Sequence, residues 1–245
     1  MSIQLQMSGT GSAFARRYFN NNALVQCNDY HLMIDMGTTC TLGLSQMNYP
    51  LDRLNGVLIT HLHSDHIGGL EEIAFRFKYL YQKKLTLFVP ETLVDWLWEH
   101  SLKSGLYNED HNCLALSDYF NVITFQEGIP LTICPGLQVE SVRTEHIPTK
   151  LSYSLYMNDI FYSADLVFNR ELIEKAVYER QCRYILHDCQ LVGTGLVHTT
   201  LDELLTLPED IQSKILLMHY DDEMEQFIGR TGRMRFIEQH KIYHF

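Results

Sequence analysis

Residues 60–69 read Thr-His-Leu-His-Ser-Asp-His-Ile-Gly-Gly, which sets His61, His63, Asp65 and His66 within six positions. Three imidazoles and a carboxylate this close repel one another when charged and are costly to bury when neutral. A divalent cation relieves both problems, because neutral imidazole and ionised carboxylate are among its preferred ligands. Four ligand types in one segment exceed what a single ion takes from one loop if a position is to stay open for chemistry, so the excess points to two ions. The surroundings tell where such a loop can sit. Gly56-Val57-Leu58-Ile59-Thr60 is a short apolar, β-branched run that reads as a buried strand, with Val57–Thr60 its core. Gly68 and Gly69 are expected to let the chain turn tightly or approach a ligand closely, and Leu70 to Tyr81 resumes with helical character. A strand, a ligand-dense turn and a helix make a platform for function on a rigid scaffold.

Other elements follow from periodicity and breakers. Strands are expected at Ile3–Met7, Ala23–Gln26 and His31–Ile34, and then near 85–89, 121–125, 131–134, 137–142, 151–157, 159–163, 183–187 and 215–218. Helices are expected near 70–82, 91–104, 167–178 and 200–206, with Lys241–Phe245 as an edge strand. The strands arrive in two batches, each with helices beside it, which fits two sheets packed face to face with helices outside. Residues 100–120 mix polar residues with Leu106, Tyr107, Leu114, Leu116, Tyr119 and Phe120, and suit a connection, a lid or a subunit contact. His100 and His111 within them read as surface histidines. No linker, repeat or low-complexity tract interrupts the 245 residues, so one domain is expected.

Composition narrows the function classes. The net charge of −11 argues against broad gripping of nucleic acid, which needs clustered Lys and Arg. A small anionic substrate remains open, since bound cations can dominate the local field. Six cysteines form no C-x-x-C pair, no basic segment leads into an apolar run at the N-terminus, and no 18-residue apolar stretch occurs. Reduced thiols in a cytoplasmic protein are the expectation. Cys189, beside Asp188, reads as a packing residue.

Three distant positions complete the ligand pattern. His146 ends one expected strand, Asp165 follows the run Ile160–Ala164, and His219 directly follows Ile215–Met218. Each is a ligand type delivered by the tip of an apolar strand.

With these residues assembled, the chain resembles the metallo-β-lactamase superfamily over nearly its whole length, through H-x-H-x-D-H and then His146, Asp165 and His219 in the family's order. The resemblance implies an α/β (αββα) sandwich with the site at one edge. It implies that His61, His63 and His146 hold a first metal, that Asp65, His66 and His219 hold a second, and that Asp165 bridges both. Zinc is the expected metal, with manganese and iron also tolerated by this donor set. The segments Gly9-Thr10-Gly11-Ser12 and Ile34-Asp35-Met36-Gly37 fit too, with Asp35 implied to steady the ligand loop through hydrogen bonds. Gly9 and Gly11 need no more than a hairpin turn to explain them.

The C-terminal third is similar to the tRNA 3′-processing endonuclease branch. His187-Asp188-Cys189-Gln190 and His198-Thr199-Thr200 stand where that branch carries H-E-A-T and H-S-T, with Asp in place of Glu. The likeness implies Asp188 as an orienting carboxylate and His198 as a general acid alongside the catalytic Asp65. Only 18 residues separate His146 from Asp165, which leaves no room there for that branch's tRNA-clamping arm. The segment Gly9–Phe14 followed by Asn20–Asn22 resembles instead the compact anti-Pycsar phosphodiesterases. That likeness implies hydrolysis of 3′,5′-cyclic mononucleotides to 5′-monophosphates, counteraction of cyclic-nucleotide antiviral signalling, and a homodimer in which a partner segment helps cover the site. A viral origin would mean action in the host cytoplasm; neither membrane attachment nor a stable nucleic-acid complex is expected. The rival readings are a tRNA 3′-processing endonuclease, a β-lactam or thioester hydrolase, a redox diiron protein (disfavoured by His63 where Glu is usual), and a non-catalytic protein that sequesters a nucleotide.

Overall fold

The computed structural model describes residues 3–245. Its first sheet is built from β1 (Gln4–Gly9), β2 (Asn22–Cys27), β3 (Tyr30–Ile34), β4 (Gly56–Leu58), β5 (Leu85–Pro90) and β6 (Phe120–Phe125). The second holds β7 (Leu131–Cys134), β8 (Leu137–Thr144), β9 (Ser152–Met157), β10 (Ile160–Tyr162), β11 (Tyr184–Asp188), β12 (Ile215–Met218) and β13 (Arg235–Phe236). A last strand, β14 (Ile242–His244), returns to the first sheet and pairs antiparallel with β1. Each sheet has seven strands, in the orders β14-β1-β2-β3-β4-β5-β6 and β13-β12-β11-β10-β9-β8-β7. Both are mixed: β3 to β6 run parallel, as do β10 to β13.

Strict alternation in the strands explains the layers. In β2, Ala23, Val25 and Cys27 face the second sheet while Leu24 faces the outer helices; in β3, Leu32 and Ile34 point inward and Met33 outward. Both faces are apolar, so each sheet must be covered twice. Leu155, Met157, Ile160, Tyr162, Leu186 and Met218 answer from the second sheet to close the inter-sheet core. Helical segments Cys40–Gln46, Leu70–Leu80 and Val94–Leu106 cover the first sheet, and Arg170–Tyr178, Leu201–Leu205 and Glu209–Gln212 cover the second. This is the αββα sandwich of the metallo-β-lactamase fold. No described helix is long and apolar enough to cross a membrane.

Several expectations need correction. The strand expected to reach Thr60 ends at Leu58, because Asp35 captures the Thr60 N–H at 2.8 Å. The expected helix over 91–104 starts at Val94 and runs to Leu106; like the 70–82 helix, which runs to Leu80, it widens midway, where Tyr81 N–H donates to Arg76 O five residues back. The 167–178 helix starts only at Arg170, where the Asn169 side chain accepts from Leu172 N–H. Helices Cys40–Gln46 and Glu209–Gln212 and the two-residue β13 are additional. Gly9 and Gly11 form no tight hairpin: residues 10–21 make a long crossing before β2 begins. Gly68 and Gly69 make no special turn either, with φ of −63° and −89°. They are small because the chain itself crowds them; a Cβ on Gly68 would lie 2.5 Å from Ser64 O, and one on Gly69 would lie 2.7 Å from Gly37 O. Residues 100–120 are anchored by Leu102, Leu106, Cys113, Leu116, Tyr119 and Phe120, all buried in the core under the first sheet.

Candidate metal centre

The metal-ligand candidates singled out in the sequence, with Asp188, sit at or just beyond the C-terminal end of a strand, and His198 lies in the loop after β11. Residues 61–66 follow β4, His146 follows β8, Asp165 follows β10, Asp188 ends β11 and His219 follows β12. The parallel strands aim these ends at one rim of the sandwich. Donor atoms of His61, His63, His146 and Asp165 lie within 4.8 Å of one another, as do those of Asp65, His66, Asp165 and His219. The two groups share Asp165. A third group at the same limit joins Asp165 and His219 to Asp188 and His198.

The donor set fits divalent cations on its own chemistry. Thr60 Oγ1 donates to Asp35 and so accepts from His61 Nδ1 at 3.1 Å, which leaves His61 Nε2 as a lone pair. His146 Nδ1 donates to Val197 O at 2.6 Å, and His66 Nδ1 to Asp35 Oδ2 at 2.7 Å, freeing Nε2 on both. His63 Nδ1 then lies 3.1 Å from His61 Nε2 and 3.2 Å from His146 Nε2. With Nε2 of His61 and of His146 both acceptors, a single proton on His63 Nδ1 has two competing partners, whereas a cation among the three nitrogens would serve them all. His66 Nε2 and Asp165 Oδ1 are buried with no hydrogen-bond partner among the described residues. Orphaned buried acceptors of this kind are expensive unless an ion completes them.

Protonation tells the same story. Burial holds His61 well below the usual imidazole range, with His66 adding repulsion, and burial and His146 bring His63 down to about 4. Both are therefore neutral, the form that ligates. His66 goes the other way. Burial opposes its charge, yet Asp165, Asp65 and Asp35 together outweigh burial and raise it well above its ordinary value.

Beside the centre, His198 Nδ1 lies 3.1 Å from Asp188 Oδ2; the carboxylate is fully buried and the imidazole 22% exposed. Burial opposes the imidazolium, but the Asp188 hydrogen bond and the Asp165 charge overcome it and bring His198 up to about 9. Asp188 is held below the usual carboxylate range despite burial by His187 and His198. Cys189 is buried and its thiol is pushed well up by burial, so it is not a poised nucleophile.

The backbone around the centre is strained. Asp35, Ala164 and His219 have φ of 63°, 49° and 56°. A left-handed conformation costs about 1–2 kcal/mol for such residues, and strain of this kind collects at functional sites.

Sequence reasoning missed the groups that brace the loop. Asn22 Oδ1 accepts from Gly37 N–H at 2.7 Å while its Nδ2 donates to Asp65 O at 3.3 Å. Asn20 Oδ1 accepts from Thr39 N–H at 3.0 Å. Three asparagines leading into a strand are poor β-formers, and that was the signal available. A cavity of about 420 Å³ opening onto His61, His63 and His146, with Trp96, His100 and Lys150 in its wall, was also unforeseen. His111, by contrast, is exposed beside Tyr79.

Comparison with known proteins agrees with this architecture. The model of the family "Anti-Pycsar protein Apyc1" matches residues 3–243. The chain is 53% identical over 246 residues to the Anti-Pycsar protein Apyc1 of Paenibacillus xerothermodurans, covering 100% of this chain and 98% of that one. It is 44% identical over 255 residues to that of Bacillus phage BSP38, covering 99% and 98%. Among solved structures, the metallo-β-lactamase fold protein YhfI from Bacillus subtilis superposes with a TM-score of 0.78 at 18% identity, over 100% of both chains. Human tRNase Z, short form, superposes at 0.68 and 15% identity, over 98% of both, so the endonuclease branch shares the fold. A sandwich with this rim of ligand types, matched across nearly its full length by that family model and by close relatives, belongs to the Anti-Pycsar protein Apyc1 family.

Proposed function

We propose that the protein is a two-metal phosphodiesterase that opens 3′,5′-cyclic mononucleotides to 5′-monophosphates and so lowers a cyclic-nucleotide antiviral signal. The observation that carries this reading is the pair of donor groups sharing Asp165, with the His198–Asp188 pair against them. Two divalent ions bound there would supply an acidified water near neutral pH and neutralise charge on a phosphate. Five imidazoles and two carboxylates suit zinc, with manganese as an alternative.

The protein's own groups account for the rest. Asp188 accepts from His198 Nδ1 and fixes the tautomer, which leaves Nε2 to deliver a proton. Water attacks phosphorus and releases a proton to solvent, a P–O bond forms as the P–O3′ bond breaks, and the proton of His198, regained from solvent afterwards, goes to the departing O3′. The products are a 3′-hydroxyl and a 5′-monophosphate. An alkoxide leaving group needs such an acid, which favours a phosphodiester over a β-lactam or a thioester. The 420 Å³ cavity suits one nucleotide rather than a tRNA acceptor stem. We also read the protein as a homodimer acting in the cytoplasm; Phe14 and Leu196 are 87% and 81% exposed, Phe14 two residues from Ser12, whose hydroxyl donates to Asp221 just past His219, and Leu196 two residues from His198, and they support a second copy near the rim.

The test is to incubate metal-loaded protein with 3′,5′-cyclic mononucleotides, a cyclic dinucleotide and a precursor tRNA, and to identify products by chromatography. Catalytic release of 5′-monophosphates is expected, and its loss in Asp65→Ala with the fold retained. Intact cyclic mononucleotides alongside cleaved tRNA, or ligand loss that stops at one equivalent, would overturn the reading.

A further inference from the structure

The cavity beside the first donor group mixes histidines, a lysine and apolar side chains. It is lined by His61, His63 and His146 at its floor, and by Leu93, Trp96, His100, Ser101, Lys150 and Leu151 among its walls. The chain carries 30 carboxylates, yet none lines this cavity. An anion would meet Lys150, which has no ion-pair partner among the described residues, and no repelling charge from the walls.

Helical spacing builds one of those walls. Leu93 and Leu97 are buried four residues apart, and the neighbouring face carries Trp96 and His100 with the same spacing. Their ring centroids are 4.6 Å apart with the planes tilted by 42°, so the imidazole is in contact with the indole. Trp96 is 60% exposed, whereas Trp98, two positions on, is 9% exposed in the core. A large exposed indole braced by a second ring, at the mouth of a cavity, is a platform without an occupant from the described residues. On the opposite side, Thr149 holds a φ of 70° next to Lys150. For a β-branched residue that is a true outlier, and such strain collects at ligand clamps.

We propose that this cavity is the nucleobase seat: the base stacks on Trp96, itself in contact with His100, and Lys150 meets the anionic side of the same nucleotide. The inference deepens the phosphodiesterase reading and rests on it for the position of the phosphate at the donor groups. Stacking on an indole holds the ribose against the His63–His146 side, so that the diester is presented to the centre in one orientation. Trp96 is thus a binding residue for the base, felt in KM rather than in kcat.

The test uses the fluorescence of Trp96. In a Trp98→Phe variant, Trp96 is the sole tryptophan, and the metal-loaded protein is titrated with a hydrolysis-resistant 3′,5′-cyclic nucleotide phosphorothioate, a nucleoside 5′-monophosphate and the cyclic phosphate of 1-O-methylribose, which has no base. Saturable quenching by the two base-bearing ligands and none by the third is expected. In turnover assays Trp96→Ala raises KM by about 5–100-fold with kcat within a factor of about two, and Trp96→Phe recovers most of the loss. Equal quenching by the base-free compound, an unchanged KM in Trp96→Ala, or emission that follows protein concentration and ignores nucleotide overturns the seat. Failure of the phosphodiesterase reading looks different: wild-type protein leaves every cyclic nucleotide intact, and quenching by the 5′-monophosphate still decides whether a base sits on Trp96.

Discussion

Asp35 and His66 meet at 2.7 Å where neither side chain has any exposure to solvent. The same carboxylate accepts from Thr60 N–H at 2.8 Å and from Thr60 Oγ1 at 2.7 Å. One buried acid therefore sets the direction of His66 and pins the point where the ligand loop leaves β4.

Asp35→Asn keeps the volume and removes the charge. The amide can accept at only one oxygen, so either Thr60 or His66 loses its partner. Outer partners of metal-ligating histidines are typically worth about 10–100-fold in affinity or activity. Competition with a fluorescent chelator should show a loss of that size at the second donor group, with the fold retained by circular dichroism.

His198→Gln removes the proton donor and leaves the seven metal-ligand candidates untouched. The expected loss in kcat on a cyclic nucleotide is about 10²–10⁴-fold, with metal content per chain unchanged by elemental analysis. A diester with a nitrophenolate leaving group needs no proton and should lose far less. Equal losses on both substrates would remove His198 from the role of acid.

Chelation should lower thermal stability, because the donors come from both sheets. Residues 61–66 extend the first sheet, while His146, Asp165 and His219 extend the second. Ions at 100–1,000 times their Kd stabilise a protein by about 2.7–4.1 kcal/mol. For a chain of this size each kcal/mol is about 2–4 °C in Tm. Scanning calorimetry before and after chelation and after zinc restoration measures the difference; an unchanged Tm counts against ion binding between the sheets.

Gly37→Ala tests the packing beneath the loop. A Cβ there would fall 1.8 Å from Asp65 O, which is backbone and cannot swing aside. Overpacking of this kind costs about 1–3 kcal/mol. The strain lands on Asp65, so weaker binding at the second donor group should accompany the lower Tm in urea or thermal melts. Wild-type affinity with wild-type stability would mean that the loop simply yields.

The sandwich was legible because each strand of its core alternates or runs apolar, and because the ligand types come straight after such runs, as with Asp165 after Ile160–Tyr162 and His219 after Met218. What the sequence hid are features that depend on distant partners. Nothing local marks Cys40–Gln46 as helix: it has no side-chain cap and no acidic first turn, and it exists through packing of Cys40 and Leu44 on the first sheet. Thr60 looks like a strand residue until Asp35, twenty-five positions earlier, takes its N–H. Trp96 and His100 read as ordinary helix-surface residues, because a cavity wall is made by what stands opposite, and Thr149–Leu151 stand opposite only in the folded chain. Gly68 and Gly69 misled for a related reason: they are small to admit neighbouring backbone rather than to turn or to touch a ligand.

The final strand has a consequence for how the protein is made. β14 lies against β1, with Ile3 and Phe245 exchanging both backbone hydrogen bonds. β1 is thus made long before the strand that covers its outer edge. Until β14 docks, that edge is an open template for pairing with another chain, and closure of the sheet is a slow, long-range event. Removal of Ile242–His244 would therefore uncover Gln4–Gly9, far in sequence from the cut.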